Sequence, residues 1–157
     1  MIVRHAKSSW ETPLHDKDRP LTNRGISDAH LVSSNCSAFM PAKYLLWSST
    51  AKRASDTALI FAQNISCPSE NIVYNEQLYT FDAHQLEKVI KSCNNVFDNV
   101  ILFGHNEAIT NFVNKFGDVF INHVPTAGFV ALEFDTDSWQ NINKGKTKKI
   151  IFPKDLK

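Results

Sequence analysis

Apolar residues fall along this chain in two rhythms. Short apolar runs of three to six residues occur at 1–3, 44–47, 72–74, 100–103, 129–134 and 149–152, the length and texture of buried strands. Between them the spacing becomes helical. "ISDAHLVSSNCSAF" follows Gly25, and "AKRASDTALIFAQNI" puts Ala54, Ala58, Phe61 or Ala62, and Ile65 on one side. "AHQLEKVIKSC" aligns Leu86, Val89, Ile90 and Cys93, and "NEAITNFVNKF" aligns Ile109, Phe112, Val113 and Phe116, each at the three-to-four-residue interval of an amphipathic helix. Strands alternating with helices predict an α/β fold, a three-layer sandwich whose mostly parallel sheet is flanked by helices. No repeat, linker or low-complexity segment interrupts the pattern, so 1–157 reads as one domain.

In such sheets ligands bind outside the carboxyl ends of the strands. The residues just past the apolar runs are therefore the ones to read. Arg4 and His5 follow the first run; "SSTAKR", with Arg53 in the first turn of a helix, follows the second. Glu76 follows the third in "NEQLY", and His105 the fourth, with Asn106 behind it. Two histidines, two arginines and a carboxylate at one edge of a sheet are not what core packing alone predicts.

These residue types suit phosphoryl transfer, in which charge spread over the equatorial oxygens must be met by fixed positive groups. Arginine binds two oxygens through a planar fork and keeps its proton. A neutral imidazole can attack phosphorus and hold the group as a phosphoramidate. A second histidine can donate to an equatorial oxygen, and a carboxylic acid can protonate the leaving group. No metal-ligand spacing is present, so neither a metal nor another cofactor is expected.

Composition narrows the reading without redirecting it. Apolar residues are 43% and charged residues 21%, with a net charge of +1, so no global field favours nucleic acid or an anionic membrane. No apolar run reaches the roughly 20 residues of a membrane span, and no secretory h-region is present. Cys36, Cys67 and Cys93 are odd in number and widely spaced. They read as reduced, small hydrophobes, consistent with a cytoplasmic location. Oligomeric state is not encoded in these patterns.

The motifs themselves carry a resemblance. "VRHAKSSW", "DRPLTNRG", "SSTAKRASDTA" and "FGHNEAI", in that order, resemble the histidine phosphatase, or phosphoglycerate mutase-like, superfamily, and within it the small SixA-type phosphohistidine phosphatases. The likeness extends through "HVPTAGFVALEF" and "FPKDLK". It implies that His5 is the phosphorylated nucleophile, that Arg4 and Arg53 line the phosphate pocket, and that His105 is the second histidine. Ala6 stands where the family usually has glycine. Only three residues precede Arg4, so either the native start lies upstream or the first strand is trimmed.

The resemblance leaves the acid open. "NEQLY" resembles a remnant of the mutase-type "NER" segment, making Glu76 the candidate with Asp82 behind it, while a plain polar loop explains Glu76 equally well. Ser8 matches the family's serine and either binds phosphate or stabilises its loop. Arg19 either adds a third cation or pairs with Asp16 or Asp18, and Asn106 either donates to phosphate or caps its helix. His15, His30 and His84 read as solvated, and His123 as bordering the pocket through its main chain. Trp10 and Trp47 read as core or near-core aromatics, and "KGKTKK" as a solvated hairpin turn.

An imidazole leaving group, with a pKa of about 6.5, needs an enzymic acid far less than an alkoxide does. A small chain with little inserted between Arg53 and His105 therefore suits a phosphohistidine presented on a protein. The alternatives are a small phosphomonoester handled by the same chemistry, or a non-catalytic phosphate-binding regulatory module.

Overall fold

A computed structural model describes residues 1–157. Its centre is a six-stranded sheet built from β1 (Ile2–Arg4), β2 (Leu45–Ser48), β3 (Ile72–Tyr74), β4 (Val100–Gly104), β5 (Phe129–Glu133) and β6 (Lys146–Ile151). The strand order is β3-β2-β4-β1-β5-β6. The pairs β2–β3, β2–β4 and β1–β4 are parallel, and β1–β5 and β5–β6 are antiparallel. Helices α1 (Asn23–Cys36), α2 (Lys52–Asn64), α3 (Ala83–Lys91) and α4 (Ala108–Phe116) cover the two faces. None is long and apolar enough to cross a membrane.

Strand alternation creates the three layers, because successive side chains point to opposite faces of a sheet. Ile2, Trp47, Leu102 and Val130 pack with Leu86, Val89, Ile109, Phe112 and Phe116 of α3 and α4. Their chain neighbours Val3, Leu46, Ile101, Phe103 and Phe129 pack with Ala29, Val32, Ala58, Phe61 and Ala62 of α1 and α2. The strands nearest the centre are apolar on both faces because both faces are covered.

Element ends follow local chemistry. Thr22 caps α1 by accepting from Gly25 N at 2.9 Å, and Asp82 caps α3 by accepting from His84 N at 3.0 Å. Two expectations change. β6 begins at Lys146, so most of "KGKTKK" is strand; three of the six residues of β6 are exposed, and pairing with β5 outweighs the charge. Trp10 is 74% exposed and lies under the Arg19 guanidinium, 3.5 Å from carbon to ring centroid. Its large apolar face is satisfied by a cation rather than by the core.

Gly25 is where α1 meets the loop after β1. A Cβ there would be driven into the Lys7 carbonyl oxygen and against the Lys7 amide nitrogen, main-chain atoms that cannot swing aside. Alanine is the better helix former by about 1 kcal/mol, yet Gly25→Ala is expected to destabilise the fold by about 1–3 kcal/mol through overpacking. Urea unfolding of the two proteins checks this; an unchanged or higher midpoint would show that the loop yields freely.

Candidate active site

The strand order decides which strand ends meet. β1 lies beside β4 with Arg4 opposite Gly104, and His5 N donates to Gly104 O at 3.1 Å. The next residues out are His5 and His105, whose ring centroids are 5.3 Å apart. β2 flanks β4 on the other side, and Ser49 N donates to Phe103 O at 3.0 Å. The short connection from Ser49 then sets Arg53 in the first turn of α2, 1% exposed. His5, Arg53 and His105 thus converge over the middle of the sheet, with Arg4 beside them.

Each group is held by a specific bond. His5 Nδ1 lies 2.7 Å from the Ala6 carbonyl, which only accepts, so Nδ1 carries the ring proton and Nε2 keeps its lone pair. Arg53 Nε donates to that lone pair at 3.3 Å. Thr57, one helical turn after Arg53, accepts from Ala6 N at 2.9 Å and donates to Arg53 O at 2.7 Å, binding the loop after β1 to α2. Arg4 Nη1 contacts His123 Nε2 and donates to Val124 O, both at 3.0 Å. Ala127, at φ 62°, donates its amide to the Arg4 and His5 carbonyls at 3.1 Å. Ser49 Oγ lies 2.9 Å from His105 Nε2, while Tyr79 and Phe81 pack on the His105 ring at 5.3 and 5.4 Å.

Electrostatics keep both imidazoles neutral. Burial, reinforced by Arg53, Arg4 and Arg19, pushes His5 down to about 3 against the opposing effect of the Ala6 carbonyl. Burial, then His5 and Arg53, pushes His105 down to about 2. Two buried polar atoms here have no protein partner, Arg4 Nε and His105 Nδ1. Both are positions from which a donor can meet an anion's oxygen. No three His, Cys, Asp or Glu side chains converge to hold a metal; the positive charge in the pocket is that of guanidinium groups.

Because both histidines take up a proton on unfolding, near 6.5 rather than near 3 or 2, the unfolded chain binds more protons than the native one in that interval. The stability that the two rings contribute is therefore complete above about pH 6.5 and falls as the pH drops below it, by up to about 2.7 kcal/mol per pH unit for two protons. The buried Met1 amine, lowered to about 5, adds a loss of the same sign that begins near pH 8. Urea unfolding at pH 7.5 and pH 5 is expected to show this loss. Equal stabilities would mean that the rings are protonated in the native state.

The remaining candidates are distributed unevenly. Ser8 and Arg19 are buried beside the pocket, joined by an Arg19 Nη1 bond to Ser8 Oγ at 2.7 Å. Arg19 Nε and Nη2 bind Asp16 Oδ1 at 3.3 and 3.2 Å. Asn106 Oδ1 accepts from Thr110 N and Thr110 Oγ at 2.9 Å, a capping contact at the start of α4. Glu76 stays off the pocket floor: it follows the edge strand β3, its side chain is 70% exposed, and it pairs with Lys17 at 2.6 Å. Asp82 is spent on the α3 cap. His15 and His84 are exposed, and His30 is half-buried with its Nδ1 3.0 Å from Asn64 Nδ2.

Tyr79, Thr57 and Ser49 are site residues that the sequence reading did not single out, and Asp16 entered it only as a partner for Arg19, a pairing the structure shows. Thr57 had a signal, its place one turn after Arg53 on the same helix face; Asp16 had a weaker one, three residues before Arg19. Asp16 accepts from Arg53 twice, from Arg19, and from the Tyr79 hydroxyl. Desolvation opposes its charge, but Tyr79, Arg53 and Arg19 together hold the carboxyl down at about 2. A cavity of about 570 Å³ lies at the other end of the sheet around Ile2, Val100, Leu132 and Trp139, away from all these groups.

A buried imidazole with a free Nε2, ringed by guanidinium groups at the strand ends of an α/β sheet, defines a class of anion-handling site. The chain belongs to the histidine phosphatase superfamily (branch 1), whose family model matches residues 1–93. An uncharacterized Mycobacterium tuberculosis protein is 37% identical over 106 residues, which is 66% of this chain and 62% of the relative; the match thus spans less than two thirds of that relative's length. Among solved structures, the protein histidine phosphatase SixA complexed with tungstate superposes with a TM-score of 0.82 at 18% identity, over 99% of this chain and 97% of the other. A mycobacterial glucosyl-3-phosphoglycerate phosphatase, complexed with VO3, superposes at 0.65 and 12% identity, over 94% of each chain. At these identities the structural likeness concerns the fold.

Proposed function

We propose that this chain is a phosphatase that removes the phosphoryl group from phosphohistidine on a protein, through a phosphohistidine intermediate on His5 and without a metal. The observation that carries this reading is the state of His5: neutral, with Nδ1 committed to the Ala6 carbonyl and Nε2 facing Arg53. In the first step Nε2 attacks phosphorus, a new P–N bond forms, and the bond to the substrate imidazole breaks with its electron pair leaving on that ring. In the second, water attacks the phosphoryl group, the P–Nε2 pair returns to His5, and the water proton departs on phosphate. Arg4 and Arg53 offset the equatorial charge. In the tautomer in which Ser49 donates to Nε2 of His105, the ring proton sits on Nδ1, the unpartnered atom, and can donate to an equatorial oxygen.

Two features support a P–N substrate on a protein. The carboxylate that reaches Arg53 belongs to Asp16, held ionised, so it brings no proton for an alkoxide leaving group, which imidazole does not need. Between α2 and β4 the chain holds only β3, short 3-10 turns and α3, with no inserted segment to cover the mouth. Exposed Trp10 and Phe81 border it, a surface on which a protein can rest.

The test uses EDTA-treated enzyme and a ³²P-phosphohistidine protein, searching for an acid-labile, base-stable label on the enzyme. Transfer to the enzyme is the expected result. Release of phosphate from small esters, with none from phosphohistidine, would move the substrate to a small metabolite; neither activity would leave a phosphate-binding module.

A further inference from the structure

Arg53 has five N–H donors, and their partners are unequal. Nη1 donates to the Asp16 main-chain carbonyl at 2.6 Å and Nη2 to Asp16 Oδ2 at 2.9 Å, whereas Nε meets His5 Nε2 at 3.3 Å. The short contacts are with the terminal nitrogens, and they come from one residue. The same carboxylate takes Arg19 on its other oxygen, and Arg19 is itself pinned by Ser8 and stacked on Trp10. Tyr79 donates to Asp16 Oδ2 and lays its ring against His105. One carboxylate therefore ties the β1–α1 loop, α2 and the segment after β3 to one another, around the two histidines.

We propose that Asp16 is the positioning residue of this site: by gripping the terminal nitrogens of Arg53 it aims the Nε side of that guanidinium at His5 Nε2, where the phosphoryl group binds. This rests on the phosphatase reading above and assigns it a further residue. An arginine side chain carries about 2 kcal/mol of rotamer entropy, and a charged donor stabilises a transition state only if it is already in place. Asp16 settles the orientation before substrate arrives. Arg19 spends three of its donors on Asp16 and Ser8, so it acts as a tie for Asp16 rather than as a further phosphate ligand.

Two other roles for the carboxylate fit less well. A plug mimicking phosphate would take the Nε side of Arg53 that faces the nucleophile; Asp16 leaves that side to His5. A proton donor would have to be neutral, and a carboxylate bridging two guanidinium groups is ionised.

The test compares Asp16→Asn, which keeps the shape, and Asp16→Ala, each alone and combined with Arg53→Ala. Turnover of para-nitrophenyl phosphate, affinity for inorganic vanadate, and the ¹⁵N-detected Arg53 Nε–H resonance are read, with urea midpoints as the check on folding. In the native background Asp16→Ala is expected to lower kcat by on the order of 10²-fold, with KM changed far less, and to weaken vanadate binding in parallel. The Arg53 Nε–H is expected to lose its protection from exchange. In the Arg53→Ala background the same substitution should change vanadate affinity by less than about twofold, because the group it aims is gone. An undiminished kcat and vanadate affinity in both Asp16 variants would overturn the proposal. So would an equal loss with and without Arg53, or tighter vanadate binding, the mark of a plug. If the native protein turns over no phosphate compound, the phosphatase reading fails, and the resonance and vanadate affinity still decide whether Asp16 aims Arg53.

Discussion

His5→Ala is expected to remove turnover while leaving the fold and the anion pocket in place. The loss should be on the order of 10⁴-fold or more, because no neighbouring group can replace an imidazole whose Nε2 is already unprotonated and pointed at the site. Phosphate binding should survive within about tenfold, since the guanidinium groups that attract it are untouched. The substitution also carries its own signature in stability. His5 is one of the two rings kept neutral by burial, so its removal should shorten the acid-side loss of stability by one proton. Single-turnover kinetics with labelled phosphohistidine protein, together with urea unfolding at pH 7.5 and 5, measure both. Near-normal phosphatase activity in His5→Ala would refute the covalent route through this residue.

Arg53→Ala is expected to cost about 10²–10³-fold in kcat/KM, carried by kcat, the scale seen when a preorganised donor is taken from developing negative charge. Its side chain is 2% exposed, so the charge acts in a medium where it is screened little. Arg53→Lys should recover only part of the loss. An ammonium is a point charge and cannot meet Asp16 with two nitrogens while a third faces His5. Steady-state kinetics on a simple aryl phosphate separate the cases: a rise in KM at unchanged kcat would mean that Arg53 binds ground and transition states alike.

How much of this site is legible in the sequence differs from residue to residue. His5 and His105 each stand two residues past an apolar run, and Arg53 lies in the first turn after another, so their place at the strand ends could be read from local pattern. Glu76 obeyed the same rule, yet its strand is at the edge of the sheet, and the turn that follows leaves its carboxylate in solvent with Lys17. Asp16 and Tyr79 obey no periodicity. One lies on a 3-10 turn in a loop, the other just after such a turn, and nothing in "HDKDRPL" or "NEQLY" says that the two will meet. Trp10 misled for a related reason. Hydrophobicity announces that a side chain wants cover, and says nothing about whether a core or a guanidinium will supply it.

By itself the amino-acid sequence determined the kinds of elements, their approximate bounds, and the set of polar groups that close each strand. These are local properties, written in periods of two and 3.6 residues. Tertiary structure alone decided the order β3-β2-β4-β1, which sets His5 next to His105 and brings α2 within reach of both. It also decided the bonds from Asp16 to two arginines and a tyrosine. Strand order follows from burying apolar faces far apart in the chain, and a buried arginine takes whichever acceptor the packed loops present. Neither choice leaves a local mark.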